Sequence, residues 1–130
     1  MALRPQLSMH NHVREYPIDK AHAGKSDFYQ DLADACSLGL NMNLELHRAE
    51  IGKVQGDISA YEHRVGQPLI SAVAILEQSG EHGDGFYRLC ELLGVGTTKA
   101  LKRDDYGIHQ LKESFDFWKK PQHYNEYKFL

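Results

Sequence analysis

The sequence predicts a single α+β domain that is predominantly helical, spans residues 26–130 and contains one short buried strand. Three observations support this fold class. Apolar residues recur at helical spacing in several segments, and one short apolar run lies between Gly66 and Gly80. The chain has 130 residues, of which 42% are hydrophobic, and this is enough to bury a core without disulfides or metals. An all-α fold is the alternative, because the short run also suits a helix.

Residues 1–25 are predicted to form an irregular N-terminal arm. They contain Pro5, Pro17 and Gly24 and show no apolar period, although His12 to Ile18 suits a short extended piece. Any order in this arm is expected to come from packing on the rest of the chain.

Two helices are predicted before the apolar run. The first begins after the N-cap Ser26 and ends near Gly39. The second is long, about 22 residues, and Gly52 and Gly56 within it each cost about 1 kcal/mol relative to alanine. We therefore expect a break near Gly56. The apolar stripe of the long helix consists of Leu44, Ile51, Val54, Ile58, Tyr61 and Val65.

The predicted buried strand is the apolar run from Leu69 to Glu77. The run is short and partly β-branched, and it follows Pro68. One strand cannot satisfy its own backbone hydrogen bonds, so it must pair with the N-terminal arm, the C-terminal tail or another subunit. A helix is the alternative here, because proline is accepted at the first helical position and Gly80 suits the position after the end.

The last third of the chain contains two further apolar stripes at helical spacing and a short helical turn after Thr97 or Thr98. The first stripe ends at Gly94 and the second before Pro121. The aromatic tail, His123 to Leu130, is expected to dock on the core or on a second subunit. The stripes are Phe86, Leu89, Cys90 and Leu93, then Ile108, Leu111, Phe115 and Trp118.

Composition and charge exclude several classes of protein. The net charge of −3 is evenly distributed, so no broad field attracts phosphate, and nucleic-acid contact is only weakly supported. No apolar run reaches the length of about 18 residues that a membrane span requires. The first residues lack the apolar region of a secretory signal, which indicates a cytoplasmic protein. Cys36 and Cys90 are expected to be buried thiols, and no cofactor is predicted.

The segment from Tyr61 to Gly94 resembles a segment of small uncharacterised bacterial proteins, some of them linked to mobile elements. The resemblance implies a strand followed by a turn and a helix, and a bacterial or phage source, but it carries no known activity. His82 stands where the pattern has proline. The matching residues are Arg64, Gly66, Pro68, Leu69, Ser71, Ala72, Gly83, Gly85 and Phe86.

Eight histidines suggest a metal-binding or pH-responsive module as one hypothesis. His10, His12 and His22 are the candidate metal ligands, because they would meet if the arm folded on itself. None of them has the spacing of an established zinc motif, and structural roles for the histidines are more common.

Two clusters contain residue types that catalyse hydrolysis. Glu62, His63 and Arg64 form the first, and His82 with Asp84 belongs to the second. The clusters flank the predicted strand and would lie about 30 Å apart if it were extended. Successive helical residues point about 100° apart, so the first three cannot face one substrate. Arg64 is the best single candidate, either as an anion clamp or as a charge at the helix C-terminus that offsets the dipole, whereas Asp84 suits a helix N-cap.

Because no coherent catalytic set emerges, the sequence favours a protein that acts through protein–protein interaction and associates with itself. Its continuous apolar stripes and aromatic tail exceed what one strand can cover. The alternative is a nucleic-acid hydrolase that uses Arg64 with Glu62 and His63, or with His82 and Asp84. The histidine-based module is a third hypothesis.

Overall fold

The computed structural model describes residues 11–129, with side chains from Val13 onward. This part of the chain contains seven α-helices, one 3₁₀ turn and two very short strands, which confirms a predominantly helical fold. None of the described helices is long and apolar enough to cross a membrane. In chain order the elements are α1 Asn11–His22, β1 Asp27–Phe28, α2 Tyr29–Ala35, α3 Glu45–Val65, the 3₁₀ turn Ile70–Val73, β2 Ala74–Ile75, α4 Asp84–Leu92, α5 Thr98–Arg103, α6 Tyr106–Lys119 and α7 Pro121–Tyr127.

Helix α1 overturns the prediction of an irregular arm for residues 11–22. Val13, Ile18 and Ala21 on this helix are buried in the core. Pro17 lies inside the helix, where it removes one backbone donor, but burial of the apolar face compensates for a weak local propensity. Residues 1–10 lie outside the described part of the chain.

The predicted strand is confined to β2, Ala74–Ile75, while Ile70–Val73 forms the 3₁₀ turn. β2 pairs in parallel with β1, with Asp27 opposite Ala74 and Phe28 opposite Ile75. The pairing segment therefore lies just after the predicted arm, at a position where a helix was expected. Extended pairing is unnecessary because side chains satisfy the backbone of the turn, as described below.

Helix α3 is continuous over 21 residues, so the predicted break near Gly56 is wrong. Buried Ile51, Val54 and Ile58 hold the helix against the core on both sides of this glycine. The predicted end is confirmed, because Gly66 adopts a left-handed conformation with φ of 76°. Tertiary packing thus outweighs the low helix propensity of the glycines.

The buried residues form two apolar clusters, and the 3₁₀ turn contributes to both. Cys36 belongs to the larger cluster and Cys90 to the smaller one, so both predicted buried cysteines are confirmed as buried. The larger cluster comprises Val13, Ile18, Ala21, Leu32, Ala33, Cys36, Ile51, Val54, Ile58, Ile70, Val73, Ala74 and Trp118. The smaller cluster comprises Leu69, Ala72, Phe86, Tyr87, Cys90 and Leu101.

Candidate functional site

The buried turn, defined as residues 69–73, crosses the interior of the protein between the two apolar clusters. A buried segment of this kind has backbone polar groups that neither a regular helix nor a strand satisfies. Four side chains, from α3, from α6 and from the segment before α4, form hydrogen bonds with these backbone groups instead. Gln110 Oε1 accepts from Leu69 N and Ser114 Oγ donates to Leu69 O, while Glu62 Oε1 accepts from Ile70 N and His82 Nε2 donates to Ala72 O.

Glu62 is fully buried and faces the buried turn from α3. Its Oε1 accepts a hydrogen bond of 2.8 Å from Ile70 N, and its Oε2 has no protein partner. Burial raises the pKa of Glu62 to about 8, against the opposing effects of the Ile70 N–H group and the Arg14 charge. A carboxylate in this position supports the fold and is inaccessible to a substrate at the surface.

Arg14 on α1 is a buried cation whose charge influences Glu62, and only 1% of its surface is exposed. Its guanidinium donates to the carbonyls of Tyr127, at 2.9 Å, and Lys128, and to Gln67 Oε1 at 3.3 Å. Burial lowers the pKa of Arg14, while the negative charge of Glu62 opposes this effect. Sequence reasoning missed Arg14 because it lies in the segment predicted to be irregular. The only signal was its position beside Val13.

The C-terminal tail docks on the core of the same chain, the first of the two predicted alternatives. Besides the Arg14 bonds, Tyr124 Oη donates to Asp19 Oδ1 at 2.6 Å. Lys128 Nζ forms an ion pair of 2.6 Å with the same carboxylate of Asp19. Phe129 is nevertheless 62% exposed.

His82 holds the other end of the buried turn. Its Nε2 donates to the Ala72 carbonyl at 2.6 Å, and burial lowers the pKa of the imidazole, although this hydrogen bond opposes the shift. The backbone of Gly107 passes so close that a Cβ there would lie 2.4 Å from His82 Nδ1. His82 is therefore enclosed by protein, and its burial favours the neutral form of the imidazole.

The remaining catalytic candidates lie on the surface. His63 and Arg64 are exposed, whereas Glu62 between Tyr61 and His63 points into the core, so the three do not form one group. Asp84 is the first residue of α4, and Gly83 occupies the N-cap position that was predicted for it. The Asp84 carboxylate accepts from Lys102 Nζ at 2.7 Å, and this cation lowers the pKa of Asp84.

One surface cleft of about 510 Å³ brings His63 close to ionisable groups that the sequence did not single out. His123 in its wall stacks on Phe117 with ring centroids 4.1 Å apart, and its Nδ1 donates to the Phe117 carbonyl at 3.0 Å. Arg64, His82 and Asp84 do not line this cleft. The charged and polar lining comprises His63, Gln67, Tyr106, Gln110, Glu113, Asp116, Lys120 and His123.

The histidine cluster proposed for metal binding lies largely beyond what the structure describes. His10 and the side chain of His12 are outside the described part. His22 is exposed, donates from Nδ1 to the Trp118 carbonyl at 2.8 Å and stacks on Tyr124 with centroids 4.0 Å apart. Within the part of the chain that the structure describes, no group of three or more His, Cys, Asp or Glu residues is placed to hold a metal ion.

Several large apolar side chains remain in solvent. Leu46 near the start of α3 is 83% exposed, and Leu92 at the end of α4 is 80% exposed. Ile108 and Phe129 are also mostly exposed.

Comparisons with protein-family models, with curated proteins and with solved structures find no match for this chain.

Proposed function

We propose that this chain acts through protein–protein interaction rather than catalysis, and that it associates with itself. The observation that carries the proposal is that the buried candidate residues have structural roles, whereas large apolar side chains are exposed. Glu62 and His82, the buried ionisable groups among the candidates, are used to hold the buried turn. Leu46 and Leu92, in contrast, expose more than three quarters of their surface. An exposed leucine side chain stabilises an interface when a second copy of the chain covers it.

Leu46 and Leu92 are the two proposed anchors. Leu46 lies in the first turn of α3, before the buried stripe of that helix begins at Ile51, and so contributes nothing to the core. Leu92 closes α4, three residues beyond Leu89, which packs towards Gly56 of α3. Covering one such side chain completely stabilises an interface by about 1.5–3 kcal/mol.

Molar mass by light scattering across a range of protein concentrations tests this proposal. We expect the wild-type mass to rise above that of one chain, and both Leu46→Asp and Leu92→Asp to shift the rise to higher concentration. Gln122→Asp is the matched control, because it adds the same charge at an exposed position without removing apolar surface. A wild-type mass of one chain throughout would disprove self-association.

A nuclease assay with and without Mg²⁺ separates this proposal from the hydrolase alternative. Turnover that disappears in Arg64→Ala would support the hydrolase and contradict a purely interacting protein.

A further inference from the structure

Three buried polar atoms in the larger apolar cluster lack a protein hydrogen-bond partner. They are Arg14 Nε, Glu62 Oε2 and Trp118 Nε1. The three residues are exposed by 1%, 0% and 0% respectively, so bulk water does not reach them. An unsatisfied buried donor or acceptor costs about 1–3 kcal/mol, and more when the group is charged. Such atoms in a native interior call for a partner.

The contacts of the three residues bring them to the same part of the interior. The Arg14 guanidinium carbon lies 5.7 Å from the ring centroid of Tyr61 and 5.7 Å from that of Trp118, so it sits between α3 and α6. Glu62 directly follows Tyr61 on α3. Its charge and that of Arg14 each influence the pKa of the other group, which also places them near one another.

The contacts of the buried turn bring Trp118 to the same place. Ser114, one helical turn before Trp118 on α6, donates to Leu69 O at 3.3 Å. Glu62 Oε1 accepts from the next residue of the turn, Ile70, at 2.8 Å. The faces of α3 and α6 that contain Glu62 and Trp118 therefore converge on adjacent residues, and the Arg14 guanidinium lies near the Trp118 ring.

The chemistry of the three atoms selects the ligand. Two N–H groups donate, and Glu62 Oε2 retains acceptor capacity whether the carboxyl group is ionised or neutral, so the set is the complement of a single water molecule that accepts twice and donates once. A cation would face two donors and the Arg14 charge, and an anion is repelled by Glu62 whenever the carboxyl group is ionised. Arg14 and Glu62 form no direct ion pair with each other, although both side chains are described.

We propose that one water molecule is bound here as an integral part of the fold, bridging Arg14 Nε, Trp118 Nε1 and Glu62 Oε2. Buried waters of this kind make about three hydrogen bonds and occur on the order of once per 27 residues. The bound water joins α1, α3 and α6 at the point where Arg14 also holds the C-terminal tail. It provides a hydrogen-bond partner for three polar atoms that have none among the side chains.

Nuclear magnetic resonance on the ¹⁵N-labelled full chain tests the water directly. We expect the Trp118 Nε1–H and Arg14 Nε–H protons to show cross-peaks to the water resonance, with opposite signs in the laboratory-frame and rotating-frame Overhauser spectra. Opposite signs identify a water held for as long as the protein tumbles, whereas proton exchange gives equal signs. Trp118→Phe keeps an aromatic ring and removes one donor, so its Arg14 cross-peak should persist if the variant folds.

The absence of a long-lived water contact at either N–H group of the wild type would overturn the proposal. A crystal structure provides an independent check, since density within hydrogen-bond distance of all three atoms is required. Direct pairing of Arg14 with Glu62, or an anomalous bromide peak between them after a bromide soak, would equally exclude a water.

Discussion

Glu62 and His82 hold the buried turn from its two ends, and they do so by different means. Glu62 accepts from Ile70 N within the larger cluster and faces Arg14 without contacting it. His82 donates to Ala72 O beside the smaller cluster, and Gly107 closes tightly over its ring. The end held by Glu62 therefore depends on the buried charge of Arg14 nearby. The end held by His82 depends on tight packing of Gly107 against the imidazole ring. Substitutions of charge and of size should therefore affect the two ends unequally.

The titration of the two residues sharpens this contrast. Burial raises the pKa of Glu62 and lowers that of His82, so burial favours the neutral form of each. Arg14 partly opposes the shift of Glu62. No charged side chain is among the causes of the shift of His82.

The largest effect is expected from Arg14→Met. The substitution keeps an apolar stem of similar length but removes the donors to Tyr127 O and Lys128 O and leaves Glu62 without its cation. A hydrogen bond from a charged donor is worth about 1.5–3 kcal/mol, so loss of the two bonds to the tail should cost about 3–6 kcal/mol of unfolding free energy. Urea denaturation measures the loss. Arg64→Met is the matched control on the surface and should stay within about 0.5 kcal/mol of wild type. Equal effects of the two substitutions would contradict the proposed role of Arg14.

Gly107→Ala tests the crowded end of the turn. The new Cβ would lie 2.4 Å from His82 Nδ1 and 2.9 Å from Tyr87 Oη, so the ring or the helix must move. We expect a loss of about 1–3 kcal/mol, the usual cost of overpacking. Gly52→Ala is the matched control, because a Cβ there meets nothing within 4 Å, and it should stabilise α3 by about 0.5–1 kcal/mol. If both variants gain stability, His82 is less tightly enclosed than the structure shows.

Over the interval from pH 6.5 to pH 7.5, the smallest effect is a pH dependence that belongs to Glu62. Its pKa rises from 4.5 in the unfolded chain to about 8 in the fold, so the native state binds the extra proton between these values. Stability is then greatest below the unfolded pKa and falls as the pH rises through this window, by up to about 1.4 kcal/mol per unit. Below its ordinary value of 6.5, His82 has the opposite effect, since its folded pKa is lowered.

Denaturation curves at pH 6.5 and pH 7.5 isolate the contribution of Glu62 from that of His82. Wild type should lose about 1 kcal/mol over this interval. Glu62→Gln, whose amide oxygen still accepts from Ile70 N, should lose little. Parallel profiles for the two proteins would show that Glu62 is already ionised in the fold at pH 6.5.

Local patterns were sufficient to predict α4 and the end of α3. The apolar spacing around Phe86 and the left-handed Gly66 both depend on near neighbours in sequence. Helix α1 was missed because Pro17 and the polar residues around it conceal the spacing of its few buried side chains. Its stability comes from tertiary contacts, some of them with residues more than a hundred positions away, which no local pattern reveals.

The roles of the candidate site residues also could not be predicted from local sequence patterns. Glu62 and His82 were singled out only for the residue types that catalysis uses. Their actual partners are backbone groups of a turn eight and ten residues away, and only the tertiary structure brings them together. A short apolar run after a proline predicts a strand equally well whether its backbone pairs with another strand or with side chains.

The hydrogen bonds from Arg14 to the C-terminal tail also bear on the order in which the chain folds during its synthesis. The guanidinium leaves the ribosome early, while its carbonyl acceptors at Tyr127 and Lys128 are translated 113 and 114 residues later. Until then α1 has an arginine that lacks its two carbonyl acceptors in the tail. We therefore expect the larger cluster to close only after Lys128 has been translated, because a small domain generally folds as a unit.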